Sequence, residues 1–462
     1  MERRPREITI GRHALAPCAQ ISGPIPETEG NRAVVLESYG TERMPTYGYI
    51  QEEYFVSGIA AEAPFLTRIL VRRPENMEKF NGRTLTEVSH IWGGTSVWRA
   101  YNRALMRDGY MWIEIDSQAP SALDLIQGGN PERYRDMKFT AGELASDFAG
   151  SIPFTANPTP EILAEQYDAF KERWWRATPQ SFEIIAQVAH ALRGGLPGIK
   201  NSEAKTLLFA GISQTGGVVR RFVEHHHEAM RRADGGPLFD GYLPGASGGE
   251  ALPDIDVPVI EVLGEAEFQS VRWDCGVSGQ VRGLKHRRAD SETFRLYEVA
   301  GMAHRETRHM SQKDVLRLKD CPLPPGAHWS TFPNSHIYGA LLGLLADWAE
   351  GKLVPPPSQL LETEGHTDTI LRDQWGNARG GVRSTYTDAP TSTLVAATPM
   401  GRPSWYHGNE TPFEGQQLQE IYGDADSYRR VFARIVDQLI LQRFLLPVDA
   451  EELRISAEGL RF

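Results

Sequence analysis

The chain has 462 residues, 40% of them hydrophobic and 24% charged, which supplies a full core and excludes an intrinsically disordered protein. Its 60 acidic residues outweigh 49 basic ones, a net charge of −11 at pH 7, and no basic block is present; this argues against nucleic acid or an anionic membrane as partner and favours small neutral molecules. Three cysteines, Cys18, Cys275 and Cys321, are odd in number and far apart, so a disulfide framework or C-x-x-C metal site is not expected and a reducing, cytoplasmic setting is. The first residues, MERRPREITIGRHALAPC, are basic but lack the apolar run of a signal peptide, and no stretch approaches the roughly 18 apolar residues of a membrane span.

Near the start, AVVLESYG and EEYFVSG read as short strands of an antiparallel beginning, separated by Gly and Pro. TRILVRRP (67–74) has a strand pattern, FNG (80–82) is a turn, and TLTEVSHIWGG is a further strand that breaks at Gly93 and Gly94. A helix is predicted over about Ser96 to Met106, and GYMWIEI (109–115) is another buried strand. Strands alternating with helices predict a mainly parallel sheet covered by helices on both faces.

That alternation is interrupted over 116–180 by a segment rich in aromatics and prolines, containing SIPFTANPTP and the pair Trp174 and Trp175. Above an α/β sheet such an insertion is expected to act as a lid or pocket wall, with Trp174 and Trp175 facing the substrate. Gln180 to Leu192 forms an amphipathic helix leading into KTLLFAGISQTG (205–216), read as a strand, a sharp turn carrying Ser213, and a helix running to about Arg232. VPVIEVL (257–263) is a buried strand ending at Gly264, Glu265, Ala266 and Glu267; TFRLYEVA (293–300) is another, ending at GMAH. SHIYGALLGLLADWAEG is a helix stopped by Gly351. The expected division is a core over 1–350, including the 116–180 insertion, and an extension over 351–462 packed on it. In that extension Val431, Ile435 and Leu439, with Phe432, Val436 and Ile440, form an apolar helical face.

The chemistry-bearing residues fall just past strand ends. A serine hydroxyl is a weak nucleophile that needs a base within hydrogen-bond reach and an acid to orient that base. Ser213, then Glu265 or Glu267, then His304 supply these in the chain order of the α/β-hydrolase arrangement. The Gly-x-x-acid register favours Glu267 as the acid, with Glu265 as the alternate. For an oxyanion hole, the backbone N–H of Gln214 is one expected donor, and that of Trp92 or Gly93 the other. Thr215 stands where the G-x-S-x-G pattern has its second glycine, a departure that a small side chain accommodates.

Other chemistries find little support. His225, His226 and His227 are consecutive on a predicted helix, so they point about 100° apart and read as a solvated face rather than a metal site. H-E-x-x-H is absent, and GASGG has neither P-loop nor G-x-G-x-x-G spacing. No cofactor or metal is expected, and the oligomeric state is not legible.

With these residues in place, the chain resembles the α/β-hydrolase superfamily, and more closely a bacterial family described as α/β hydrolase domain-containing proteins. The resemblance runs through EEYFVSG, TRILVRRP, FNG, the Gly93-Gly94 pair, GISQTGG, FDGYLPGASGG, EVAGMAH and GNARGGVR (376–383). It implies Ser213 as nucleophile and His304 as base, and two acids one residue apart, matching Glu265 and Glu267 without deciding between them. His90, Ile91 and Trp92 depart from the smaller or polar residues usual before the Gly pair. The expected activity is hydrolysis of small apolar or aromatic carboxylic esters through an acyl-enzyme. Acyl transfer, lactone or amide cleavage by the same triad, and ligand binding without catalysis, are the alternatives.

Overall fold

A computed structural model of the chain describes residues 14–462 except 16, 92–96, 140–177, 269–282, 309–315, 317, 320, 368 and 398–406. Nine strands form the central sheet: β1 (Gln20–Ser22), β2 (Tyr49–Ala60), β3 (Ala63–Pro74), β4 (Arg83–Val88), β5 (Met111–Ile115), β6 (Thr206–Ile212), β7 (Gly241–Gly245), β8 (Val259–Gly264) and β9 (Phe294–Val299). Their order is β9-β8-β7-β6-β4-β5-β3-β2-β1. From β9 to β5 every pair is parallel. β3, β2 and β1 then add on antiparallel. The mainly parallel sheet expected from the alternation is therefore present, with an antiparallel flank.

A parallel sheet covered on both sides buries successive residues on opposite faces, which is why its strands read as unbroken apolar runs. Leu207 and Phe209 of β6 join one core cluster with Ile184 and Val188 of α2 (Ser181–Leu192) and Val219 and Phe222 of α3 (Gln214–His225). Leu208, Ala210 and Ile212 join the other, with Trp98 and Leu105 of α1 (Val97–Asp108) and Leu341 and Leu345 of α4 (Asn334–Ala349). Among the described residues, no helix is long and apolar enough to cross a membrane.

Three local expectations fail. The strand read through TLTEVSHIWGG to the Gly93–Gly94 break ends at Val88. AVVLESYG forms no strand. Its polar backbone groups are met by side chains instead of a ladder: Val34 N–H donates to the Tyr134 hydroxyl (2.9 Å), and the Glu37 and Tyr39 carbonyls accept from Arg72 (2.7 Å) and the Trp98 indole (2.8 Å). The helix after Ser213 stops at His225, well short of Arg232. The three histidines then part: His225 is exposed, His226 stacks on Phe182 with ring centroids 4.3 Å apart, and His227 is buried against the Tyr242 hydroxyl (2.9 Å) and Asp256 (2.6 Å). Helix α3 ends because the chain turns inward to seat His227, so the trio is no solvated helix face.

Residues beyond 350 touch the core in two ways. In α5 (Ala425–Leu441), Phe432, Ile435, Val436 and Leu439 are buried in the cluster that holds α1 and α4, and α6 (Pro447–Glu458) adds Ala450 and Leu453. Two stretches, 359–361 and 380–382, meet the open edge of β9. Gln359 and Val382 bridge to Tyr297 and Val299, and Val382 N–H donates to the Glu298 carbonyl (2.7 Å). An uncovered edge would offer unpaired backbone groups to other chains, and these stretches close it. A Cβ on Gly381 would lie 2.4 Å from the Glu298 carbonyl oxygen, so the GNARGGVR glycine is required by that close approach. Of the 116–180 segment, residues 140–177 lie outside the described residues; Ser121–Gln127 before them is helical.

Candidate active site

Strand β6 is buried throughout and delivers Ser213 directly to the first turn of α3. Ser213 has φ 62° and ψ −120°, a left-handed conformation costly for a side-chain-bearing residue. Several contacts hold it there. Ser213 N–H donates to the Gly245 carbonyl at the end of β7 (2.9 Å), and Gly217 N–H donates to the Ser213 carbonyl (3.0 Å). The Thr215 hydroxyl accepts from Ile212 N–H (2.9 Å) and lies 3.0 Å from the Ile212 carbonyl, closing the turn on itself. A Cβ on Gly211 would sit 2.2 Å from the Thr215 carbonyl oxygen, and one on Gly216 would sit 2.4 Å from the Gly245 carbonyl oxygen. The close helix–strand approach thus occurs at Gly216, one residue past the usual motif glycine, which leaves position 215 open to a threonine.

His304 follows β9 through Gly301, whose φ of +78° turns the chain back. Its Nε2 lies 3.0 Å from the Ser213 Oγ, and its Nδ1 lies 2.5 Å from Glu267 Oε1. A carboxylate only accepts, so this pairing puts the proton on Nδ1 and leaves Nε2 free to accept from the serine. The Ala303 carbonyl accepts from Asn334 Nδ2 (2.8 Å), fixing the loop to the start of α4. Glu306 accepts from Ser335 N–H (2.8 Å) and anchors the loop again two residues later; burial raises its carboxyl above the usual range.

The two acids separate cleanly. Glu265–Phe268 is a single helical turn that directly continues β8. Glu267 points to His304, and its second oxygen accepts from Gly264 N–H (2.7 Å). Glu265, fully buried, turns the other way: Oε2 accepts from Gly301 N–H (2.8 Å), and Oε1 pairs with Arg372 (2.8 Å). Ser213, His304 and Glu267 come together; the alternate acid Glu265 is taken by Gly301 and Arg372.

On the other side of Ser213, the exit of β4 is pinned by side-chain amides. Gln214 Oε1 accepts from Ile91 N–H (3.3 Å), and Gln214 Nε2 donates to Gln118 Oε1 (2.8 Å). Gln118 Nε2 in turn donates to the Ser89 carbonyl (2.8 Å). Loops after β4, β5 and β6 are thereby tied together at the residue following Ser213. Trp92 and Gly93, and the pocket candidates Trp174 and Trp175, lie outside the described residues. Beyond the 92–96 interval, buried Glu87 accepts the N–H groups of Val97 (2.6 Å) and Trp98 (3.0 Å), capping α1. His90, buried beside this site, has its pKa pushed down to about 3 by burial, with the His304 and Arg305 charges opposing protonation further.

A profile of the family described as "Alpha/beta hydrolase domain" matches residues 21–454, nearly the whole chain. The chain belongs to this α/β-hydrolase family. Solved structures resembling this α/β hydrolase include a putative dienelactone hydrolase from Klebsiella pneumoniae subsp. pneumoniae, with 14% identity over 47% of this chain and 72% of that one and a TM-score of 0.25. Esterase Est22 shows 13% identity, 49% and 67% coverage and a TM-score of 0.26. Acetyl xylan esterase 1 from Thermoanaerobacterium sp. shows 10% identity, 50% and 53% coverage and a TM-score of 0.24. No curated protein matches the sequence.

Three residues of this α/β hydrolase escaped the reading of its sequence. Gln118 follows β5 as the candidate groups follow their strands, so its strand-end position was the available signal. Glu87 lies in the strand RTLTEV, and an acid within a buried strand was the clue to a cap. Arg372 had none, because its partner is more than a hundred residues away. Among the described residues, His227, Glu228 and Asp256 place ligand atoms within 4.8 Å of one another. The Arg231 guanidinium already pairs with both carboxylates, at 2.6 Å and 2.8 Å, so that cluster reads as an ion-pair network.

Proposed function

We propose that this α/β hydrolase is a serine esterase that cleaves carboxylic esters through an acyl-enzyme. The observation that carries the reading is the continuous line Ser213 Oγ, His304 Nε2, His304 Nδ1 and Glu267, with links of 3.0 and 2.5 Å. Ser213 attacks the ester carbonyl as His304 takes its proton. Glu267 keeps the imidazole in the Nδ1–H tautomer and stabilises the imidazolium that forms. The same imidazolium then protonates the departing alkoxide, and a water activated by His304 releases the acid.

The tetrahedral oxyanion is assigned to the backbone N–H of Gln214, with the N–H of Trp92 or Gly93 as second donor. The amide pair Gln118–Gln214 supports this assignment by holding the two loops together. Each such donor is worth about 10²–10³ in kcat. A neutral His90 adds no positive charge beside the imidazolium, which favours His304 taking up a proton. Small apolar or aromatic esters are the proposed substrates, from the aromatic sequence around Trp174 and Trp175; the proposed setting is the cytoplasm.

Labelling with a fluorescent fluorophosphonate, in parallel with a chain-length panel of p-nitrophenyl esters, tests the reading. Wild type should take the label and turn over the shorter esters, and Ser213→Ala should do neither while keeping its circular dichroism. A wild type that neither labels nor cleaves any ester in the panel would sink it.

A further inference from the structure

Glu265 is a fully buried acid two residues from Glu267, and the chemistry proposed above does not use it. Its two oxygens are committed to different parts of the chain. Oε2 accepts from Gly301 N–H (2.8 Å), at the bend that starts the His304 loop, and Oε1 pairs with Arg372 (2.8 Å). Arg372 comes from the segment that joins the two stretches on the β9 edge, and its second amino group donates to the Gly376 carbonyl (2.9 Å), so the guanidinium is itself held in place. Those stretches are hydrogen-bonded to β9 at Glu298 and Ala300.

These contacts define a closed frame. The turn bearing Glu267 grows from β8, and the loop bearing His304 grows from β9. Backbone pairing holds the strands together only as far as Gly264 and Val299. Beyond that point, Ala266 N–H donates to the Met302 carbonyl (3.2 Å), and Glu265 supplies the stronger, charged link. Without a counter-charge, a buried carboxylate at Glu265 would be strongly disfavoured, and Arg372 provides it.

We propose that Arg372 is a positioning residue for the active site: by pairing with Glu265 it fixes the distance between the Glu267 turn and the His304 loop. This rests on the esterase reading for its effect on rate, but the geometry it controls, the His304–Glu267 contact, exists whether or not the substrate is an ester. Arg372 lines an open surface cleft of about 520 Å³ together with Asp373, Trp375 and Arg379, and its side chain is 33% exposed. Truncating it therefore leaves a space that a small cation can enter from solvent.

The test uses the full chain as Arg372→Ala, Arg372→Lys, Glu265→Gln and the double variant Arg372→Ala/Glu265→Gln. A displacement near 1 Å at a catalytic group costs up to about 10²-fold, so Arg372→Ala should lower kcat by roughly 10–100-fold. Uniform binding is untouched, so KM should stay within about 3-fold. Guanidinium chloride well below denaturing concentration should restore much of that rate to Arg372→Ala and none to Glu265→Gln, with sodium chloride as the control for ionic strength. The double variant should be no worse than the poorer single one.

A second readout does not depend on turnover. The His304 Nδ1–H bound to Glu267 should give a downfield proton resonance, assigned by its loss in His304→Gln. It should shift or broaden in Arg372→Ala and return with guanidinium. If Arg372→Ala keeps both the wild-type rate and the resonance, or its loss is additive with Glu265→Gln and indifferent to guanidinium, the proposal is overturned. If wild type hydrolyses nothing, the esterase reading fails alone, and the resonance still decides the role of Arg372. Should Arg372→Ala not fold, Arg372→Lys and Glu265→Gln carry the same comparison.

Discussion

The turn after β6 is closed by its own residues, whereas the turn after β8 is closed by residues from far along the chain. At Ser213 the backbone is held by Thr215, Gly217 and the adjacent end of β7, and Gly211 and Gly216 let the strand and helix approach. At the acid turn the neighbours that matter are Gly301 and Arg372, which hold Glu265, and His304, which meets Glu267. A hydrogen-bonded turn of this local kind costs little loop entropy to form, whereas the acid turn is right only after distant segments have docked. The nucleophile end should therefore be intolerant of changes in backbone space, and the acid end of changes in charge.

The largest expected effect is at the acid. Glu267→Gln should lower kcat by on the order of 10⁴, since an amide permits the wrong imidazole tautomer, whereas Glu265→Gln should lose no more than the roughly 10–100-fold expected of Arg372→Ala. Steady-state kinetics on a short ester decides this, and equal losses would erase the distinction between the two acids. Next comes the elbow. Gly216→Ala forces a Cβ to within 2.4 Å of the backbone oxygen of Gly245, where nothing flexible can give way. Urea melts should show a loss of roughly 2–3 kcal/mol. At Gly301 the added Cβ would meet mainly the Leu394 side chain, though φ of +78° also disfavours it. If Gly301→Ala proves far worse than Gly216→Ala, the comparison is reversed.

Gln118→Ala tests the link across the β4, β5 and β6 exits. Losing one or two amide hydrogen bonds, about 1–2 kcal/mol, should cost roughly 5–30-fold in kcat with KM little changed. An unchanged kcat would remove Gln118 from the site. The smallest effect concerns His90. A general base must be neutral to accept a proton, so kcat/KM rises with pH along the limb where the base loses its proton. His90, already pushed down to about 3, stays neutral throughout that limb and adds no second ionisation. The limb should have unit slope and keep its position in His90→Gln; a slope of two would show that both histidines titrate.

Much of the scaffold could be read in one dimension. TLLFAGI and VIEVLG are apolar on both faces, as a doubly covered parallel strand must be, and each ends at a candidate group. AVVLESYG looked equally strand-like, yet Tyr134, Arg72 and Trp98 take its backbone groups, and no local pattern could announce three partners so distant. The histidine run differs from its reading for a similar reason: buried Tyr242 and the exposed Asp256 turn His227 inward.

By itself the sequence located most of the buried strands and the residue types that stand beyond them, because hydrophobic periodicity and glycine placement are local properties of the chain. Between the two acids its register favoured Glu267 but kept Glu265 as the alternate. Helical positions two apart on one short turn diverge by about 200° and so face nearly opposite ways, and which acid meets His304 depends on how that turn is rotated. Only the tertiary structure sets that rotation, through the Gly301 N–H and the Arg372 guanidinium that claim Glu265 and leave Glu267 facing the imidazole.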